Sequence, residues 1–89
     1  MGNTVEFTLY EKDAPLNIQL EPECFNFKVL SGQTIRFVQK TNDKKFRWAI
    51  RVCDEASRWI QLFPEGESSY RNLEVYVNGE LLADWDFTK

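Results

Sequence analysis

Two pairs of carboxylates are the first candidates for chemistry in this chain. Asp84 and Asp86 flank Trp85 and share one face of an extended segment, and Asp54 adjoins Glu55. A pair of acids is the minimum for glycoside hydrolysis, where one protonates the leaving oxygen while the other activates water or attacks. Carboxylates are also the ligands that calcium prefers. The competing reading is that alternate acids on a terminal strand form a solvated, charge-protected edge, and it needs no further residue. The chain contains no His, which removes the commonest general base and metal ligand and with them the Ser–His and Cys–His nucleophile pairs. Two Cys without His do not make a structural zinc site within one chain, and the four Gly stand in no phosphate-loop spacing. The expectation is no catalytic residue, no metal and no cofactor, with a paired-carboxylate hydrolase as the lesser alternative.

Charge is more informative. Thr34–Val52 holds six cations (Arg36, Lys40, Lys44, Lys45, Arg47 and Arg51) against one acid, Asp43, a net of +5. The whole chain carries −3, so the remainder carries −8. Glu65, Glu67, Glu74, Glu80, Asp84 and Asp86 crowd the last quarter. Arg36, Lys40, Arg47 and Arg51 share the outward phase of their strands. If those two strands pair as a hairpin through the polar Thr41–Lys45 turn, the cations make one patch with Lys44 and Lys45 at its tip. Such a patch steers an anionic partner through its long-range field, or it is neutralised by acids on neighbouring strands. The partner expected first is a protein with an acidic face, which meets Arg36, Lys40, Lys44, Lys45, Arg47 and Arg51, with Trp59 as an aromatic anchor. Self-association of the basic hairpin with the acidic C-terminal strands is a special case. Two alternatives use exposed aromatics differently: a carbohydrate stacked on Trp or Tyr, or a single-stranded nucleic acid. A sequence pI near 4.9 weighs against nucleic acid.

The elements that must carry these side chains are strands. Val5, Phe7 and Leu9 alternate with polar residues, as do Leu16, Ile18 and Leu20, then Phe25, Phe27 and Val29. The same period of two returns at Ile35 and Phe37, at Phe46, Trp48, Ile50 and Val52, at Ile60 and Leu62, at Leu73, Val75 and Val77, and at Leu81, Ala83, Trp85 and Phe87. Successive side chains of a strand face opposite ways, so this alternation is what a half-buried strand requires. Turn residues punctuate it, most clearly Asn78-Gly79, which tolerates the two positive φ angles of a type I′ hairpin turn. No segment has a sustained helical period. The pattern predicts one all-β domain over residues 1–89, a small antiparallel Greek-key β-sandwich of about seven or eight strands, with a small β-barrel as the alternative. A chain that is 43% hydrophobic and 15% aromatic has the apolar supply for one core. Cys24 and Cys53 both fall on outward positions and are expected as free thiols.

One stretch is similar to a known architecture. Phe27-Lys-Val-Leu-Ser-Gly-Gln-Thr-Ile-Arg-Phe-Val38 resembles the strand–Gly–strand step of immunoglobulin-like and cupredoxin-like sandwiches. The run from Gly32 to Pro64, ending Trp-Ile-Gln-Leu-Phe-Pro64, looks like small bacterial β-sandwich domains of unknown function. The resemblance is one of strand pattern, and it implies that the chain crosses between sheets at Gly32. It does not carry over the copper chemistry of cupredoxins, because the His ligands are missing. No N-terminal apolar core of a signal peptide and no membrane-length apolar run is present, so the expectation is a cytoplasmic protein with no membrane contact. The function expected is a non-enzymatic binding or interaction module: a small inhibitor, accessory or assembly subunit.

Overall fold

A computed structural model describes residues 3–21, 24–40, 44–53, 58–66 and 73–83. They form eight strands: β1 (Thr4–Thr8), β2 (Leu16–Leu20), β3 (Phe25–Val29), β4 (Thr34–Gln39), β5 (Arg47–Val52), β6 (Trp59–Glu65), β7 (Leu73–Val77) and β8 (Glu80–Leu81). The strands make two four-stranded sheets, ordered β1-β4-β7-β8 and β3-β2-β6-β5. Packed face to face they form a β-sandwich, and neither sheet closes into a barrel. Among the described residues no helix is long and apolar enough to cross a membrane.

The period of two in the sequence becomes the inner faces of the sandwich. Ile18, Leu20, Val29 and Leu62 from one sheet meet Ile35, Phe37, Leu73 and Val75 from the other, all essentially buried. Phe37 is the centre of this contact. Its ring meets Phe7, Phe27 and Trp48 with centroids 6.4, 5.3 and 6.2 Å apart, at tilted or edge-to-face angles, the arrangements aromatic quadrupoles favour. Trp48 also donates its Nε1 proton to the Asn3 carbonyl at 3.1 Å, so the indole is satisfied where it tucks under the sheet.

The turns follow their chemistry. Asn78 and Gly79 have φ of 51° and 84°, and they join β7 to β8 with Val77 opposite Glu80. Gly32, φ 80°, sits between β3 of one sheet and β4 of the other, so the chain does change sheets there. The eighth strand is short: it ends at Leu81, and Trp85 and Phe87, expected to extend it, lie outside the described residues, as do Asp54, Glu55, Asp84 and Asp86.

Three expectations are corrected. β4 and β5 do not pair as a hairpin; they belong to different sheets. Both strands have an apolar inner face, and burying both faces across the sandwich covers more surface than pairing them edge to edge. Second, the sandwich is not wholly antiparallel. β2 and β6 run parallel, Asn17 opposite Trp59 through Leu20 opposite Leu62. Alternation reports which face a residue takes, not the direction of its neighbour. Third, Ile50 and Val52 are in the inward phase, opposite Leu62 and Ile60, yet are 49% and 66% exposed. They sit on β5, an edge strand, where phase alone does not guarantee cover. Pro64, at the end of the Gly32–Pro64 run, lies within β6. Among the described residues parallel pairing with β2 ends at Leu62, so Pro64 falls past the last position of that ladder, where a missing N–H is tolerated.

Candidate ligand-binding site

The cations of Thr34–Val52 are divided between two outer faces. On the β1-β4-β7-β8 sheet, Arg36 lies in a cross-strand row with Glu6 on one side and Tyr76 on the other. Its guanidinium carbon is 5.1 Å from the centre of the Tyr76 ring, a cation–π distance. Lys40 meets Glu74 at 3.7 Å. The Tyr76 hydroxyl donates to Glu74 Oε1 at 2.7 Å. That hydrogen bond, reduced hydration and the Glu74 charge push the phenol above its ordinary value of 10.0, while Arg36 pulls it down. On the other sheet, Arg47 faces Glu65 in register and donates Nε to Oε1 at 2.7 Å. Arg51 donates to Gln61 Oε1 at 2.7 Å. Lys44 and Lys45 are exposed just before β5. The structure therefore brings Arg47, Arg51 and Trp59 to one face, and leaves Arg36 and Lys40 on the opposite one.

The outer face of the β3-β2-β6-β5 sheet holds what the charge pattern did not reveal. Reading across the strands, one row is Lys28, Asn17 and Trp59, and the next is Asn26, Gln19, Gln61 and Arg51. Asn17, Gln19, Asn26 and Trp59 line an open cavity of about 300 Å³. Strand spacing sets the scale of this quartet: neighbours across strands stand ~4.8 Å apart, and i, i+2 neighbours ~6.7 Å.

Glu21, just past β2, organises the second row from the end of the strand. It is 7% exposed. Its Oε2 accepts from Gln19 Nε2 at 2.7 Å and from Gln61 Nε2 at 2.6 Å, and its Oε1 accepts from Cys24 Sγ at 3.3 Å. A carboxylate offers only acceptors, so both glutamines must turn their amino groups toward it. Gln61 then presents its carbonyl to Arg51 and, at 3.7 Å, to Cys53 Sγ. The Gln19 amino group is shared between Glu21 and Cys24 Sγ at 3.4 Å, so what Gln19 offers a ligand is its carbonyl oxygen. Both cysteines are free thiols, and both border this network.

The backbone on either side of Trp59 is pinned. Asn17 N–H donates to the Arg58 carbonyl at 2.9 Å and Cys53 N–H to the Trp59 carbonyl at 3.2 Å. Arg58, φ 52°, donates Nη2 to the Ala14 carbonyl at 2.7 Å. Trp59 thus stands half-buried on a central strand, with its surroundings set by β2 and β5.

The amide set was within reach of the sequence, since Asn17, Gln19 and Asn26 all occupy outward positions of successive strands. What hid their meeting with Trp59 is the parallel β2–β6 pairing, which joins positions 42 residues apart. The chemistry on offer is hydrogen bonding by neutral amides and stacking on an indole. Among the described residues no group of three His, Cys, Asp or Glu side chains is placed to hold a metal ion. Comparison of the chain with protein-family models, with curated proteins and with solved structures gave no match, so the functional reading rests on this geometry.

Proposed function

We propose that this protein is a non-enzymatic binding module whose working surface is the outer face of the β3-β2-β6-β5 sheet, centred on Trp59. The observation that carries the reading is the cavity lined by Asn17, Gln19, Asn26 and Trp59. Its size falls at the lower end of the ~300–1,000 Å³ range of small-molecule sites, and it combines an aromatic wall with a few convergent polar groups. Its parts stand on strands rather than loops, and Glu21 holds the Gln19 amide, so that group is oriented before a ligand arrives. The buried carboxylate takes three donors, an arrangement suited to orienting side chains.

An interaction with a protein through the cations is the second reading, and one observation keeps it: Arg47, Arg51 and Trp59 share this face. A single patch running from Arg36 through Arg51 does not fit the division of those residues between sheets.

The test is an unbiased one. The 15N-labelled protein is titrated with a chemically diverse fragment library, and the shifted amide signals are mapped. Hits should cluster at residues 17, 19, 26, 59 and 61. Hits clustering instead around Arg36 and Tyr76 would reject the assignment of the face. The same protein bearing Trp59→Ala should lose those hits while keeping a β-type circular dichroism spectrum.

A further inference from the structure

Resting on that assignment of the face, we infer that the cavity over Trp59 binds a neutral saccharide, one pyranose ring stacked on the indole with its hydroxyls bonded to Asn17, Gln19 and Asn26. Three features of the site select this class. The first is charge. Among the described residues the lining side chains are three amides and an indole, all uncharged. An anionic ligand would want a cation in the wall, and the nearest cross-strand cation, Lys28, stands opposite Asn17 at the edge strand β3, outside the lining.

The second feature is hydrogen-bond type. A sugar hydroxyl both donates and accepts, and so does a primary amide, through different atoms. Asn17 and Asn26, exposed on neighbouring strands, bring both functions to opposite sides of the quartet. Gln19, with its amino group held by Glu21 and Cys24, brings an acceptor of fixed position. A ligand dense in hydroxyls can satisfy all three, whereas an apolar ligand would leave them desolvated and unpaired, at a penalty.

The third is shape. One face of a pyranose is lined by C–H groups and packs on an aromatic ring, while its edge carries the hydroxyls. The site repeats that division: Trp59 on β6 supplies the platform, and the amides on β2 and β3 stand in rows beside it. The spacing of ~4.8 Å across strands and ~6.7 Å along them places three polar side chains around a single ring. A nucleobase also stacks on Trp, but the strand it belongs to carries a phosphate on every nucleotide. Of the cations on this face, Arg47 and Arg51 lie on β5, on the far side of Trp59 from Asn26, with Arg47 paired with Glu65, and Lys28 on β3 is the one beside the amides.

The experiment titrates the full chain with glucose, galactose, mannose, N-acetylglucosamine and their short β- and α-linked oligomers, and in parallel with a glucuronic-acid oligomer and oligodeoxythymidine. Calorimetry reads affinity and labelled-amide shifts read position. The expected result is binding of at least one neutral sugar, unchanged within about twofold between 0.1 and 1 M NaCl, because no ion pair is screened. The shifts should fall at residues 17, 19, 26 and 59. Asn26→Ala and Asn17→Ala should each weaken binding by roughly tenfold, the scale of one lost hydrogen bond. Trp59→Ala should abolish it and Trp59→Phe should partly retain it. If Trp59→Ala fails to fold, Trp59→Phe combined with Asn26→Ala, two changes that keep the strand pattern, serves in its place.

The saccharide assignment is overturned if none of the neutral sugars binds, or if only the anionic probes bind with an affinity that falls as salt rises. It is also overturned if binding survives both Trp59→Phe/Asn26→Ala and Asn17→Ala. Should neutral sugars fail while other fragments still map to residues 17, 19, 26 and 59, the face stands and the ligand class falls. Should a sugar bind but shift residues around Arg36 and Tyr76, the face itself is wrong.

Discussion

At the scale of single residues the outer face of the β3-β2-β6-β5 sheet depends on Glu21. Its carboxylate is the common acceptor for Gln19 and Gln61, and replacing it by an apolar residue strands two amides that are partly shielded from water. Glu21→Leu should lower the unfolding free energy by about 1–3 kcal/mol, the cost of unsatisfied groups. Glu21→Gln, which keeps a carbonyl in place, should cost less. Urea denaturation compares the two, and equal losses would refute the acceptor role. Tyr76 offers a pH test on the other sheet. Its phenol is raised above 10.0 by the hydrogen bond to Glu74, so the folded state holds this proton more tightly than the unfolded one. Below pH 10 both states are protonated and the contribution is complete. As pH climbs past 10 the unfolded chain ionises first and stability falls until the folded phenol ionises too. In Tyr76→Phe this alkaline slope should flatten. An unchanged slope would show that Glu74 does not hold the hydroxyl in solution.

At the scale of elements, the β7–β8 hairpin is governed by its turn. Gly79 has φ 84° and open space around the position of a side chain, so a substitution there meets backbone strain and no clash. Gly79→Ala should cost about 1–2 kcal/mol, the usual penalty of a left-handed L-residue, and Gly79→Val more, since a β-branched residue resists positive φ. Thermal melting measures both, and a neutral Gly79→Val would mean the turn has changed type. The edge strand β5 is different in kind. Arg47 and Glu65 form a close pair, but their side chains are 76% and 44% exposed, so Arg47→Ala should cost no more than about 1 kcal/mol. β5 is held by its ladder with β6, six residue pairs from Arg47–Glu65 to Val52–Ile60, and by Trp48 packed against Phe37.

At the scale of the whole molecule, stability is concentrated where the sheets meet. Phe37, fully buried among Phe7, Phe27 and Trp48, should cost about 3–5 kcal/mol when replaced by Ala, a large share of the ~5–15 kcal/mol typical of a domain. The division of cations between sheets has its own test. Arg36→Glu sets like charges beside Glu6, and Arg47→Glu does so beside Glu65. Each should destabilise, and the double change should equal the sum within about 0.5 kcal/mol, as for distant sites. Strong coupling would restore the single hairpin patch. What the sequence determined by itself was the local part. The period of two at Ile18, Leu20, Phe37 and Val75 set which side chains are buried, and Asn78-Gly79 set a tight turn, because face and turn type depend on the residue and its immediate neighbours. Only the tertiary structure decided which strands lie side by side. Nothing in the alternation of β4 and β5 distinguishes pairing with each other from facing across a core. The parallel contact of β2 with β6, which brings Asn17 to Trp59, is chosen by how two whole inner faces pack. That choice separated Arg36 from Arg47 and assembled the amide-lined cavity.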